Sequence, residues 1–422
     1  MGFFIFLALF FAMEIFVFRL LKTVFYGHGE NHDSPVLERY MKRIWFGVVY
    51  WGITAAFFIN WGIQFYGIIH YSEVPFWIYI NAFFFLLYIA KFASLLLGLL
   101  TELLLFGDRA INFFFSGKSY FSPSRKRFLK ISAAAFGLLP FTTLLYGMVR
   151  NPYRYKVYES NVVLDDLLPG LENLKIVQIS DIHAGSWVFQ DPVGRAVDMI
   201  NELEPDLVLF TGDLVNNLAS EMQPFIPVFK KIKSRYGVYS VLGNHDYGDY
   251  FRWEREEDKR ANFQQLLDTH KAMGWKLLRN QSELVEIDED QLAVIGVENY
   301  SALPQFPRYG DLDKAMAEVP ESAFKILLTH DPTHWDAEIV NQNPDIGITF
   351  SGHTHGFQFG FEIPGVGRWS PGSMIYDQWA GLYKKGNQYL YVNRGLGYLG
   401  YPGRVGILPE ISLLTLRRKT LL

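Results

Sequence analysis

The chain has 422 residues, enough for two or three domains, and no cysteine, which excludes a disulfide framework, a thiolate zinc site and a cysteine nucleophile. Its formal net charge of −4 hides an asymmetry: residues 1–150 carry 13 Lys/Arg against 7 Asp/Glu, and the remainder 26 against 36. An acidic second part argues against nucleic acid as a partner, because phosphate-backbone binding needs a basic face.

Residues 1–150 are dominated by Phe, Leu, Ile, Tyr and Trp. Four apolar stretches, at 2–26, 44–70, 75–106 and 131–149, each reach the roughly 20 residues a helix needs to cross a membrane. Buried core helices are the alternative, but four such stretches with almost no internal charge favour spans. The first is not a usual signal peptide, since no basic segment precedes it. The first loop holds Arg39, Lys42 and Arg43, and the third Arg109, Lys118, Arg125, Lys126, Arg127 and Lys130. The second, around Tyr71–Val74, holds no Lys or Arg. Basic loops stay in the cytoplasm, which sends everything after Val149 to the outer side. Arg150, Arg154 and Lys156 run mildly against this. The segment "SRKRFLK", Ser124–Lys130, resembles a twin-arginine export signal, with Lys126 where the second arginine is usual. Glu14 and Lys91 fall inside spans one and three, which run the same way. The two charges could pair there, or Lys91 could snorkel to the interface.

From 151 to 422 the pattern is that of a globular α/β domain. Short apolar runs rich in Val, Ile and Leu read as buried strands. "LKIVQISD" ends at Asp181, "DLVLFTGD" at Asp213, "GVYSVLGNHD" at Asp246, "FKILLTHD" at Asp331 and "IGITFSGHTH" at His355. Loops at one edge of a sheet are where α/β proteins place their chemistry. Seven of the ten histidines lie beyond residue 150, and five of those sit in these strand ends, which argues for a site. Asp181 and His183 are two apart, as are His353 and His355. On extended backbone such a pair points to one side and can enter one pocket. An all-nitrogen-and-oxygen donor set suits manganese, iron or zinc, with manganese favoured, over soft copper.

Asp181-Ile-His183, Gly212-Asp213, Gly243-Asn244-His245-Asp246, Thr329-His330 and Gly352-His353-Thr354-His355 resemble, in sequence order, the motifs of the calcineurin-like metallophosphoesterase family. The whole-chain layout is similar to its membrane-anchored bacterial branch. The resemblance covers roughly residues 170–400. It implies a four-layer α/β fold, two mixed sheets flanked by helices, preceded by an all-α region of four transmembrane helices. It also implies two divalent metal ions. Asp181, His183 and His355 would bind one, Asn244, His330 and His353 the other, and Asp213 would bridge them. His245 would donate a proton to the leaving oxygen or stabilise its charge, which suits a histidine's near-neutral pKa. Asp246 would orient His245, or cap a helix.

The activity implied is hydrolysis of phosphodiester or pyrophosphate bonds by attack of metal-bound hydroxide on phosphorus, between metals about 3.5–4 Å apart. "GDLVNNL" has Asn216 and Asn217 where the protein-phosphatase subgroup has aspartate and arginine, which argues against that activity. Phe357 follows "GHTHG" and would narrow the approach to the site. Phe357, Phe359, Phe361, Trp369, Tyr376, Trp379 and Tyr383 form either a packed loop region or an apolar rim facing the bilayer. After the strand-like "YLYV", Arg394 is expected to bind substrate phosphate, and Arg404 is a weaker candidate. The expected enzyme is a metal-dependent phosphoesterase, a phosphodiesterase or pyrophosphatase, of the bacterial inner (cytoplasmic) membrane, multi-pass, with its catalytic domain outside the cytoplasm. Phospholipids or lipid-linked sugars are the favoured substrates, with a soluble nucleotide or general phosphodiester as the alternative, and no protein partner is expected. The competing readings are a non-enzymatic membrane sensor, disfavoured because no ligand is missing, and transport by the spans, disfavoured by their low polarity.

Overall fold

The computed structural model describes residues 2–26, 36–66, 76–115, 121–340, 342–363 and 365–419. The second loop around Tyr71–Val74 and Lys118 of the third lie outside these. The chain divides into two units, Met1–Tyr146 and Gly147–Leu422.

The first unit is helical. Its elements are α1 (Gly2–Tyr26), α2 (Val36–Phe65), α3 (Trp77–Phe115), α4 (Pro123–Phe136) and α5 (Leu138–Arg150), the last running past the unit boundary. Four spans result, because α4 and α5 together form the fourth. Pro140 has no N–H to return to the carbonyl of Phe136, so the helical ladder is interrupted there. Gly137 at the break lies close against α3: a Cβ on it would fall 2.5 Å from the Ala90 carbonyl oxygen. Basic residues expected in loops are helical. Lys42 and Arg43 lie on α2, and "SRKRFLK" forms the opening turns of α4, where Ser122 caps the helix. Acidic residues near the end of α3 partly neutralise it, with Lys126 3.5 Å from Asp108 and Lys130 2.9 Å from Glu102.

Lys91 does not snorkel. Its Nζ donates to both carboxylate oxygens of Glu14 at 2.9 Å. Thr54 Oγ1 also donates to Glu14, at 3.2 Å. The ammonium lies over the rings of Tyr50 and Tyr88, at 4.6 and 4.7 Å from their centroids. Each buried charge is thus met by its opposite and by polar or π partners, the condition for retaining it inside a span.

The second unit holds β1 (Lys156–Leu164), β2 (Lys175–Ile179), β3 (Leu207–Phe210), β4 (Val238–Ser240), β5 (Lys276–Leu277), β6 (Gln281–Ile287), β7 (Asp290–Gly296), β8 (Phe324–Leu328), β9 (Ile346–Ser351), β10 (Phe361–Ile363), β11 (Gly367–Trp369), β12 (Gly381–Lys385), β13 (Gln388–Val392) and β14 (Glu410–Arg418). One sheet has the order β1-β14-β2-β3-β4-β5, the other β12-β13-β9-β8-β7-β6, and both are mixed. Period-two alternation builds four layers. Leu207 and Leu209 of β3 meet Ile326, Leu328, Ile348 and Phe350 between the sheets. Val208 and Phe210 turn the other way, into a core with α6 (Gln190–Glu202), α7 (Ile226–Phe229) and α8 (Glu256–Met273). Leu327 and Leu390 pack outward on Ala315 of α9 (Leu312–Met316) and on Trp335. Each fully buried Leu, Ile or Phe contributes about 1.5–3 kcal/mol relative to exposure. The central strands β2, β3 and β8 read as near-continuous apolar runs because both their faces are covered, so no polar alternation is needed.

Candidate metal centre

The five strand ends of the sequence reading come together. Asp181 and His183 follow β2, Asp213 follows β3, and Asn244 and His245 follow β4, all in the first sheet. His330 follows β8, and His353 and His355 follow β9, in the second. Face-to-face packing of the sheets brings the two sets together.

The candidate ligands form two groups. Donor atoms of Asp181, His183 and His355 lie within 4.8 Å of one another, as do those of Asp213, His330 and His353. Asp213 reaches both, with Oδ2 3.5 Å from His183 Nε2 and 3.1 Å from His330 Nε2. Asn244 lies on the same cavity, its Oδ1 buried and without a hydrogen-bond partner.

The spacing argument from extended backbone is corrected here. Asp181, His183, Asp213, His353 and His355 have φ of 51°, 47°, 59°, 70° and 52°, all left-handed. A non-glycine residue there costs about 1–3 kcal/mol and persists only when its surroundings impose it. These tight turns, rather than the strand pleat, separate His353 from His355, which join different groups. Two motif glycines are needed for close approach. A Cβ on Gly352 would fall 2.3 Å from Asp181 Oδ2, and one on Gly243 2.3 Å from Asp213 Oδ1.

Ring orientation is set by atoms behind the ligands. His330 Nδ1 donates to the Thr211 carbonyl at 2.7 Å, leaving Nε2 toward Asp213. His183 Nδ1 lies 3.1 Å from Asn216 Oδ1, leaving Nε2 toward His355. Fixing one ring nitrogen in this way presents the other's lone pair. Burial pushes His183 down to about 3 and His353 to about 4, and holds His355 well below the usual range. Burial also disfavours the charge on His330, yet Asp213 beside it prevails and raises it to about 10. Burial lifts Asp181 to about 7, with Asp213 adding to it. Four imidazoles, two carboxylates and a spare amide oxygen are the donor set of a divalent cation pair, with His330 giving up its extra proton when a cation takes its place beside Asp213, so the residues fit the metals implied.

His245 borders the cavity. Its Nδ1 donates to the Asn216 carbonyl at 2.8 Å, and its backbone N–H donates to Asp213 Oδ1 at 2.9 Å. A carbonyl only accepts, so Nδ1 carries the hydrogen and Nε2 is left as the reactive nitrogen. Asp246 does not orient it. Its buried carboxylate accepts from the N–H groups of Asp213, Leu214 and Gly243 at 2.8–2.9 Å, which ties two site loops together. Asn216, read in the sequence only as a departure from the phosphatase motif, takes the orienting role through its backbone. A backbone carbonyl leaves no trace in side-chain identity, so no motif marks it.

Arg394 is not available to phosphate. It is buried, and its guanidinium is held by Glu410, at 2.6 Å, and by Glu362. Neither carboxylate lies in a motif, so sequence reading leaves the arginine apparently free. Arg404 is also buried, donating from Nε to the Gly397 carbonyl at 3.0 Å and from Nη2 to the Gly395 carbonyl at 3.1 Å. Arg394→Met is expected to lower stability by about 3–5 kcal/mol, leaving the buried Glu410 carboxylate, and half-buried Glu362, without a counter-charge. KM for a soluble phosphodiester should not change; a KM rise at constant melting temperature would restore the substrate role.

The cavity encloses about 270 Å³. Asp213, Asn244, His245, His353 and His355 form its polar floor, and Phe306, Phe357, Ile375, Tyr376 and Leu399 much of its wall. Tyr376 OH lies 3.0 Å from His353 Nε2, a contact hidden when the residue is read only as an aromatic. The expected rim divides. Tyr376 and Trp379 are buried, whereas Phe357, Phe359, Phe361 and Trp369 are exposed.

Sheet topology and donor geometry together define a calcineurin-like phosphoesterase. Residues 174–357 match the family model "Calcineurin-like phosphoesterase", and residues 1–152 match "Probable Calcineurin-like phosphoesterase, transmembrane domain". The "Uncharacterized metallophosphoesterase YkuE" of Bacillus subtilis is 29% identical over 70% of this chain and 98% of its own length. An "Uncharacterized metallophosphoesterase" of Helicobacter pylori is 30% identical over 71% of this chain and 74% of its own. The "Transmembrane protein with metallophosphoesterase domain" of Danio rerio is 30% identical over 65% of this chain and 60% of the fish protein. The chain belongs to the calcineurin-like metallophosphoesterase family, and it is a membrane-associated, metal-dependent phosphoesterase.

Proposed function

We propose that the chain is a membrane-anchored two-metal phosphoesterase cleaving phosphodiester or pyrophosphate bonds of phospholipids or lipid-linked sugars. The observation that carries the two-metal reading is Asp213 Oδ2 lying between His183 and His330, within reach of both donor groups. Two divalent ions, manganese favoured, would supply Lewis acidity toward the phosphoryl oxygens and an activated water. Asp181, His183 and His355 would hold one; Asn244, His330 and His353 the other. His245, with Nδ1 fixed on the Asn216 carbonyl, would carry on Nε2 the proton given to the leaving oxygen. The apolar wall of Phe306, Phe357 and Leu399 favours a substrate with a hydrophobic part. The bacterial cytoplasmic membrane, with the globular unit outside, is favoured by the bacterial relatives and by the basic residues of α4.

The test is turnover of a chromogenic phosphodiester by the purified full chain, stripped with chelator and then given manganese. Activity should vanish on stripping and return with the ion. His245→Gln should lower kcat by roughly 10²–10⁴-fold with metal content unchanged. Turnover indifferent to chelation would sink the two-metal reading.

A further inference from the structure

The chain leaves the cavity wall at Phe357 and rejoins it at Ile375. Between them lies the β10–β11 hairpin, in which Phe361 pairs with Trp369, Glu362 with Arg368, and Ile363 with Gly367. Successive strand residues face opposite sides. The polar pair bonds back to the protein: half-buried Glu362 is bonded by Arg394 and by Tyr158 OH at 3.3 Å, and Arg368, though exposed, donates from Nη1 to the Ala380 carbonyl at 2.6 Å. The apolar set faces out. Phe361, Ile363 and Trp369 are 44%, 50% and 41% exposed, and Val366 at the turn is 77% exposed. This inverts the polarity of a water-facing hairpin, which puts apolar residues inward. Among the described residues, eight of the fourteen exposed large apolar side chains after Arg150 fall within residues 357–375, so this is a patch and not scattered exposure.

What covers the patch follows from connectivity. Among the described residues, four helices are long and apolar enough to cross a membrane, the last ending at Arg150, and β1 begins at Lys156. The intervening residues reach at most about 20 Å, so the globular unit is held at the bilayer surface whatever else it meets. Aromatic and aliphatic side chains without charge are the composition that seats at the lipid interface.

We infer that the β10–β11 hairpin inserts into the bilayer that anchors the chain, and that the adjoining cavity draws its phosphoester from that surface. The second half rests on the phosphoesterase reading; the first does not. Because the chain has no cysteine, Val366→Cys gives one labelling position in the full protein. With a fluorophore there, the chain is placed in nanodiscs of phosphatidylethanolamine and phosphatidylglycerol containing acyl-spin-labelled lipid. The label should be strongly quenched, and a label at exposed Glu318→Cys should not. Equal, weak quenching at both would overturn the insertion. So would a Val366→Cys label shielded from water but not quenched by lipid, since a protein partner would then cover the patch.

The exposed triple variant Phe361→Ser, Ile363→Ser, Val366→Ser supplies the second readout. Turnover of a bilayer-resident phosphodiester should fall by about tenfold or more, with turnover of a soluble one unchanged. Equal loss on both, or none on either, would overturn the substrate-delivery half. If the wild-type chain hydrolyses neither, the phosphoesterase reading and that half fall together, and lipid quenching alone decides where the hairpin sits.

Discussion

Asp213→Asn is expected to lower phosphodiester turnover by roughly a thousandfold or more, corresponding to about 4 kcal/mol of lost transition-state stabilisation. The size follows from position. Asp213 Oδ2 is the atom within 3.5 Å of one donor group and 3.1 Å of the other. Burial disfavours its charge, but His330, His245 and His183 hold the carboxyl well below the usual range. Asparagine keeps the shape and an oxygen for the His245 N–H, but removes the charge that would hold two cations close together. Metal content, measured on the purified full chain, should fall to one ion or fewer. Asp213→Ala should behave alike, with further disorder at His245, whose N–H loses its acceptor. Turnover within a few-fold of wild type in a folded Asp213→Asn chain would remove the bridging role.

Breaking the ion pair inside the membrane unit is the second large effect. Glu14→Gln leaves the Lys91 ammonium buried without its counter-charge, at a cost of about 3–5 kcal/mol. Lys91→Met strands the Glu14 carboxylate in the same way. Replacing both should restore stability to within about 1 kcal/mol of wild type, because each single cost is mainly an unpaired charge. Heating the full chain in detergent and following loss of monodisperse protein reads this directly. Both single variants should melt well below wild type and the double variant close to it. If the double melts as low as the singles, Thr54, Tyr50 and Tyr88 need the charges themselves, and the pair is more than mutual neutralisation.

The sequence by itself determined the apolar stretches, the strand pattern and the donor chemistry at the strand ends, while the grouping of candidate ligands came from the family resemblance. Apolar length, two-faced burial of short strands and the donor chemistry of Asp, Asn and His are local properties. They follow from residue type and spacing without knowledge of neighbours. The Glu14–Lys91 pair was only half legible: the sequence put opposite charges in spans running the same way but left snorkelling equally open, and the structure decided for the pair.

Only the tertiary structure decided which of the remaining polar groups were already engaged. Arg394 and Asp246 carry the right chemistry for catalysis, yet Glu410 and Glu362 hold the first, and backbone N–H groups of two loops hold the second. Asn216 acts through a carbonyl and Tyr376 through a hydroxyl against His353, contacts with no fixed spacing along the chain. The left-handed turns at Asp181, His183, Asp213, His353 and His355 are imposed by two packed sheets, against local preference. The inverted hairpin shows the same division. Its alternation is written in the sequence, but which face turns outward was settled by Arg394 and the Ala380 carbonyl, which claim Glu362 and Arg368. A side chain's chemistry is local, whereas its availability depends on partners that only folding brings within hydrogen-bond distance.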